Sequence, residues 1–320
     1  MIMNYEEKLQ EIAARDERLV VMTAENRAAI RNLPKVLGNR FIDVGITEQT
    51  MIGAAAGLAL RGRVPIVHAL ATFLTLRAFE FIRTDLGIGN LPVKLVGGVP
   101  GFLSEANGPT HQAIEDVSLM RGIPNMKVFC PADHDELVAG LPAVFDDASP
   151  WYIRYTTQQP AEKHYEPFAI GKAEILGDGM DIAFITYGFM NRETWQAKKI
   201  LEKKGFSVRF INLRTVKPID EKAILAAAKE CALLVTVEDH FLTGGLFSII
   251  GELFLKHSVT AYVLPIALEH QWFKPALLHD VLTYEGFTGE QIAARVIVHL
   301  NQLEQGIDFK VFESQVEPII

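Results

Sequence analysis

Apolar and polar positions along this chain alternate between two periods. Short apolar runs at 19–23, 41–44, 64–69, 127–130 and 151–155 read as strands. The run at 93–96 reads as an apolar strand of the kind found in a parallel sheet covered on both faces. Residues 9–14, 26–32, 49–60, 72–84 and 135–146 carry helical spacing, and in 72–84 Arg77, Glu80 and Arg83 fall on the polar side. The segment 158–168 is polar, holds two prolines and follows neither period, so it reads as a linker. The alternation then resumes, with strands at 182–186, 207–212, 233–237 and 261–265 and helices at 191–204, 221–228, 245–256 and 291–300. Strands alternating with helices predict an α/β fold: two consecutive α/β domains, each a mostly parallel sheet covered by helices. The expected division is 1–160, a linker at 161–169, a second domain at 170–305, and a mixed stretch at 306–320 that reads as a C-terminal arm.

Composition changes this picture little. The 320 residues suit two domains, and 49% hydrophobic with 22% charged residues suits an ordinary buried core. A net charge of -8, from 31 basic and 39 acidic residues, argues against a nucleic-acid surface. Residues 1–7 have neither a basic nor an apolar region of the secretory kind, so no such signal is expected. The apolar stretch 51–60 is too short to span a bilayer and ends in Arg61-Gly62-Arg63. A cytoplasmic protein is expected. Cys130 and Cys231 are far apart and read as reduced, buried thiols, and no metal ligand is assigned to this chain. Gly53 and Gly57 flank three alanines in a helix, where each glycine costs about 1 kcal/mol relative to alanine. They predict close approach of another backbone or a ligand, or tight helix–sheet packing.

The chemistry concentrates around Glu48, in Asp43-Val44-Gly45-Ile46-Thr47-Glu48-Gln49. A carboxylate between a strand-like segment and a helix start lies at the mouth of an α/β sheet, where ligands bind. An acid in a first helical turn is also what the macrodipole favours in any helix. Other words follow in order: Ala71-Thr72-Phe73, Arg77-Ala78-Phe79-Glu80, Gly108-Pro109-Thr110-His111-Gln112-Ala113-Ile114-Glu115-Asp116, Val237-Glu238-Asp239-His240 and Gly244-Gly245-Leu246. As an ordered set they resemble the C-terminal half of transketolases, and more closely the separate C-terminal subunit of split transketolases. The resemblance covers nearly the whole chain. It implies a pyrimidine-binding domain of a thiamine diphosphate enzyme, followed by the transketolase C-terminal domain.

The resemblance also implies roles. Glu48 matches the acid that donates to the aminopyrimidine ring nitrogen and favours the imino tautomer, whose imine takes the thiazolium proton. Such an acid needs surroundings that favour its protonated form, which Ile46, Met51 and Ile52 are expected to supply. Phe73 matches the aromatic that stacks on the pyrimidine, and Phe79 a second aromatic nearby. His111 matches the histidine that lines the substrate funnel and either hydrogen-bonds substrate oxygen or relays a proton. His240, following a strand, is expected in a ligand crevice or at an interface.

The chain departs from the family at the substrate. Where transketolases carry Gly-Glu-Asp-Gly it has Glu105-Ala106-Asn107-Gly108, with Asn107 replacing the aspartate that reads a donor hydroxyl. Val99 stands for a funnel histidine, and Thr157 for the phosphate-binding arginine; Arg154 lies nearby but within a strand. Losing a bidentate charged contact puts the usual sugar-phosphate specificity in doubt. Gly177-Asp178-Gly179 copies the start of a diphosphate and magnesium site, but its place between 172–176 and the strand 182–186 makes it a turn. The implied activity is transfer of a two-carbon ketol unit from a ketose to an aldose or related aldehyde. Thiamine diphosphate and Mg²⁺ would be held by an N-terminal, diphosphate-binding partner subunit, in an α2β2 heterotetramer with a homodimeric core. The rivals are a pyruvate-using relative, of the deoxyxylulose phosphate synthase or α-keto acid dehydrogenase β-subunit kind, and a non-catalytic scaffold subunit.

Overall fold

A computed structural model describes residues 3–269 and 271–304. The arm expected at 306–320 lies outside the described residues. The first sheet takes β1 (Leu19–Thr23), β2 (Phe41–Asp43), β3 (Val64–Leu70), β4 (Lys94–Gly98), β5 (Lys127–Phe129) and β6 (Trp151–Arg154). The second takes β7 (Glu174–Leu176), β8 (Ile182–Thr186), β9 (Val208–Asn212), β11 (Leu233–Phe241) and β12 (Val263–Leu268), while β10 (Thr215–Lys217) leaves it to pair with β5. The orders are β10-β5-β6-β4-β3-β1-β2 and β12-β11-β8-β9-β7. Only β10 and β7, each at an edge, run antiparallel to their neighbours.

Helices α1 (Tyr5–Arg15) and α6 (His134–Asp146) cover one face of the first sheet, through Leu9, Ile12, Leu137 and Leu141. On its other face α3 (Glu48–Leu60) and α5 (Asp116–Gly122) bury Met51, Ile52, Val117 and Met120. That cluster runs on into the second half through Ile211, Leu213, Ile224 of α8 (Glu221–Glu230) and Leu253 of α9 (Leu246–His257). The remaining face of the second sheet packs on α7 (Asn191–Lys203), α10 (Leu278–Glu285) and α11 (Gly289–Glu304). The two sheets therefore share a hydrophobic core.

Several expectations are corrected. Residues 26–32 form turns: the Thr23 hydroxyl and the Asn26 backbone bond each other, Glu25 takes φ 57°, and α2 (Leu33–Leu37) begins only with Pro34 in its first turn. The helix expected at 72–84 is a wide-turned segment, with π-helical Phe73–Arg77 and Ile82–Ile88 flanking the short α4 (Phe79–Phe81). The apolar run at 93–96 contains Lys94, which is fully buried; its ammonium reaches the carbonyls of Asp147 and Ser149 at 2.6 and 2.8 Å. Burial pushes that amine down to about 7. Among the described residues Gly57 meets nothing within 4 Å and Gly53 only Asp85 at 3.8 Å, so no backbone of those residues approaches the glycines of α3 closely.

Two buried ionic clusters hold the halves together. Arg154 at the end of β6 bonds Asp116 at 2.9 Å and, across the junction, Asp239 of β11 at 2.6 Å. Burial pushes the Asp239 carboxyl up while Arg154 pulls it down; the guanidinium stays charged between its two carboxylates. Gly101 (φ 57°) lies against this pair, where any Cβ would collide with the Asp239 carboxylate. The second cluster pins the linker. His164 bridges Asp133, the N-cap of α6, at 2.8 Å and Glu174 of β7 at 2.6 Å. Arg214 joins Glu136 at 2.8 Å and Glu174 at 3.2 Å, and donates to the carbonyls of Glu166 and Pro167. Burial opposes charge on His164, but Asp133 and Glu174 outweigh it and raise the imidazole to about 10. Burial likewise opposes charge on Glu174, yet His164 and the Tyr165 N–H bring it down to about 2.

Two outcomes follow. Arg154→Met leaves two buried carboxylates without their cation and should cost about 3–5 kcal/mol in urea unfolding; an unchanged midpoint would contradict the bridging role. The His164 contribution has a pH sign. A folded value raised from 6.5 to about 10 means stabilisation that is complete below pH 6.5 and lost as pH rises through 10. The stability gap between the natural chain and His164→Gln should therefore be about 2 kcal/mol at pH 6 and close steadily towards pH 10.5. A gap independent of pH over that range would rule the charged clamp out.

Candidate functional site

The carboxyl ends of β1 to β4 and the starts of the segments that follow them meet along one edge of the first sheet, the usual ligand edge of a parallel α/β sheet. Glu48 is the first residue of α3 and is 2% exposed. Its Oε2 accepts from Arg77 Nη1 at 2.9 Å. The Arg77 guanidinium also stands over the Phe73 ring, 4.1 Å from the centroid. Phe73 in turn meets His111 edge-on at 5.0 Å, and the Thr110 hydroxyl holds His111 Nδ1 at 2.9 Å. Glu48, Phe73 and His111, 63 positions apart along the chain at the extremes, are thus joined, with Arg77 between the first two. Sequence reasoning had Arg77 on a polar helix side and in the word Arg77-Ala78-Phe79-Glu80, with no contact to Glu48 or Phe73; the wide π turns after Thr72 swing it back over Phe73.

Not every expected residue joins them. Met51 and Ile52 are buried behind Glu48, but Ile46 is 65% exposed and does not cover it. Phe79 lines a different hollow of about 460 Å³ with Arg83, Ser118 and Leu119. Val99 lines a small cleft of about 70 Å³ with Asn26, His68, Gly98 and Tyr155. His68, missed by sequence reasoning, is the one strongly polar side chain in the run 64–69; it bonds the Tyr5 hydroxyl at 2.9 Å, and burial lowers it to about 4, leaving it neutral. Asn107 and Thr157 are exposed.

Arg154 requires correction, and His240 takes the second of its two expected places, at the junction between the halves. Arg154 is buried between Asp116 and Asp239 and turns no charge towards a substrate. His240 lies inside β11, which runs four residues past the expected end, pairing Phe241 with Leu268 of β12, while Phe241 N–H bonds the Ile114 carbonyl of the first half. It is fully buried, accepts from the Ser118 N–H at 3.2 Å and contacts the Phe241 carbonyl at 2.6 Å; burial lowers it to about 4. Glu238 completes this picture. It caps α9 by accepting from Leu246 and Phe247 N–H, with its carboxyl pushed by burial up to about 8. Asp239 and His240 fasten the two halves together, while Glu238 holds α9 within the second.

The loop from Val99 to His111 carries the substrate-side departures and is strained. Val99 has φ 48° and Glu105 φ 27°, conformations unfavourable for any non-glycine residue and especially a β-branched one. The second half holds it: Phe102 packs on Phe273 and Phe287, Gln112 donates to the Phe273 carbonyl, and Glu105 accepts from Leu278 N–H at the start of α10.

Residues 1–162 match the transketolase pyrimidine binding domain and residues 171–292 the transketolase C-terminal domain. The chain belongs to the transketolase family. Among transketolase relatives, the 6-deoxy-6-sulfo-D-fructose transketolase subunit SqwH of Clostridium sp. (strain MSTE9) is 37% identical over 78% of this chain and 78% of its own length. A putative transketolase C-terminal section of Methanocaldococcus jannaschii is 33% identical, over 93% of this chain and 95% of its own. The 1-deoxy-D-xylulose-5-phosphate synthase of Synechococcus sp. (strain JA-3-3Ab) is 34% identical over 92% of this chain, which spans 46% of that longer protein. A solved structure described as a split gene transketolase, inactive beta4 tetramer, superposes with a TM-score of 0.83 at 29% identity, over 93% of this chain and 97% of that one. The chain is thus a transketolase-like subunit, from a thiamine-diphosphate-dependent transferase family.

Proposed function

We propose that this subunit supplies the pyrimidine half of a thiamine diphosphate site, and that an N-terminal diphosphate-binding subunit supplies the rest in an α2β2 cytoplasmic enzyme. The observation that carries this is the buried Glu48 carboxylate at the start of α3, set beside the Phe73 ring and His111. A protein acid and an aromatic face on one sheet edge suit an aminopyrimidine, which needs a proton partner at a ring nitrogen and a surface to stack on. The diphosphate and Mg²⁺ have no such match among the described residues. Gly177-Asp178-Gly179 is the turn between β7 and β8, with Gly177 at φ 82° and Gly179 pressed on the Ser207 and Val208 backbone.

When bound, thiamine diphosphate supplies an acidic thiazolium carbon that carries the two-carbon fragment. Glu48 would hold and exchange a proton with the pyrimidine nitrogen, Phe73 would orient the ring, and His111 would bond or relay a proton to substrate oxygen. Ile46 and Leu76, at 65% and 40% exposure beside Glu48 and Arg77, offer apolar surface for the partner subunit to cover. Arg154 is internal, and an exposed threonine, Thr157, stands where the family carries its phosphate arginine. A sugar whose terminal group differs from phosphate suits that arrangement, and the Clostridium relative is named for a sulfo-sugar.

Two measurements test this reading. Glu48→Gln keeps volume but cannot exchange the proton, so deuterium exchange at the thiazolium carbon in the assembled enzyme should slow roughly 100-fold or more; the natural rate in the variant would refute the role. Fructose 6-phosphate and 6-deoxy-6-sulfo-D-fructose should be compared as donors by kcat/KM. The expected result is no preference for the phosphate and, in Thr157→Arg, a gain for it of roughly 10-fold or more from one charged hydrogen bond. A strong natural preference for the phosphorylated sugar would defeat the substrate assignment.

A further inference from the structure

Arg77 makes at once the two contacts that a planar nitrogen heterocycle would make at this edge. Its guanidinium lies 4.1 Å above the Phe73 ring, and its Nη1 donates to Glu48 Oε2 at 2.9 Å. The other edge of Phe73 is taken by His111. The pair is lopsided: the Glu48 side chain is 3% exposed and that of Arg77 is 40% exposed. The carboxylate is the floor and the guanidinium the stopper. Guanidinium is flat, delocalised and weakly hydrated, so it stacks on an aromatic face as a heterocycle does.

We propose that Arg77 is a built-in stand-in for the aminopyrimidine: in the subunit by itself it closes the Phe73–Glu48 seat, and loading the ring requires it to swing out. This rests on the reading of Glu48 and Phe73 given above. The stopper is weak enough to move. Partly exposed ion pairs and cation–π contacts are each small, and together they should handicap an incoming ring by roughly fivefold to tenfold. The same stopper spares the free subunit an uncovered buried carboxylate, and it releases a cation at the seat when the ring arrives. That cation is then free to meet an anionic group at the site mouth.

The test uses the full chain alone with a named probe, 4-amino-5-hydroxymethyl-2-methylpyrimidine, titrated by NMR. Arg77→Met keeps the stem and removes the charged plane. It should bind the probe roughly fivefold to tenfold more tightly than the natural chain, and Glu48→Gln added to it should abolish the gain. Arg77→Lys, with a charge but no plane, should fall between, and it carries the comparison should the methionine variant unfold. Glu48-dependent binding by the natural chain with no gain, or a loss, in Arg77→Met would overturn the stand-in and make Arg77 a positioning partner of Glu48. Absence of probe binding to every variant at millimolar concentration would overturn the stand-in together with the pyrimidine-seat reading itself.

Discussion

The two halves of the fold meet around the buried guanidinium of Arg154. Arg154 ends a strand of the first sheet, and its two carboxylate partners come from α5 and from β11 of the second. Each of the three groups would be costly to bury by itself, so none tolerates loss of the others. Their meeting fixes how the two sheets sit. Around them the neighbouring side chains do related work: Tyr152 donates to Asp116 at 2.6 Å, His240 accepts from Ser118 N–H, and Glu238 caps α9. The linker cluster of His164, Glu174, Glu136 and Arg214 fastens the opposite end of the junction. Its members pair opposite charges, and the guanidinium inside it opposes a metal ion where Glu136, His164 and Glu174 converge.

That junction matters for chemistry because, among the described residues, the second half bonds the loop after β4, whereas the ion-pair partner of Glu48, Arg77, lies in the first half. Phe102, Gln112 and Glu105 are all held by residues from Phe273 onward, and the loop they anchor is the one with left-handed Val99 and Glu105. Strain of about 1–3 kcal/mol per such residue persists only where surroundings over-determine it. Here the second domain supplies the determination. The C-terminal domain acts on the candidate site at one remove, by holding the loop that carries Val99, Asn107 and His111.

Much of this was legible in the residues, and the pattern of what was not is physical. The alternation of periods gave both sheets, because parallel strands covered on both faces leave strong apolar runs. Glu48, Phe73 and His111 were readable because each sits in a contiguous word. Arg154 was misread because its partners lie 38 and 85 positions away, and a lone arginine near a sheet edge looks like an anion binder. His240 was read as a crevice or interface residue, and its place inside β11 was hidden because the strand is prolonged by the pairing of Phe241 with Leu268, which no local pattern reports. β10 was invisible because three residues that cross to another sheet carry no period. Arg77 was placed on a polar helix side because 3.6-residue spacing was assumed, and the π turns broke that spacing.

The division of labour separates two things that could otherwise interfere. The acid and its aromatic neighbour sit on α3 and the segment after β3, elements packed directly on the core of the first sheet. The residues that differ from ordinary transketolases, Val99, Asn107 and Thr157, sit on loops beyond strand ends. A change at Val99 or Asn107 alters a strained, externally anchored loop and leaves the packing of Met51, Ile52 and Leu74 beneath Glu48 and Phe73 untouched. The Glu48 carboxylate and the residues that depart from the family pattern are therefore carried by different parts of the fold, with different mechanical support. Substitution in the loops leaves the carboxylate where the helix and the sheet put it.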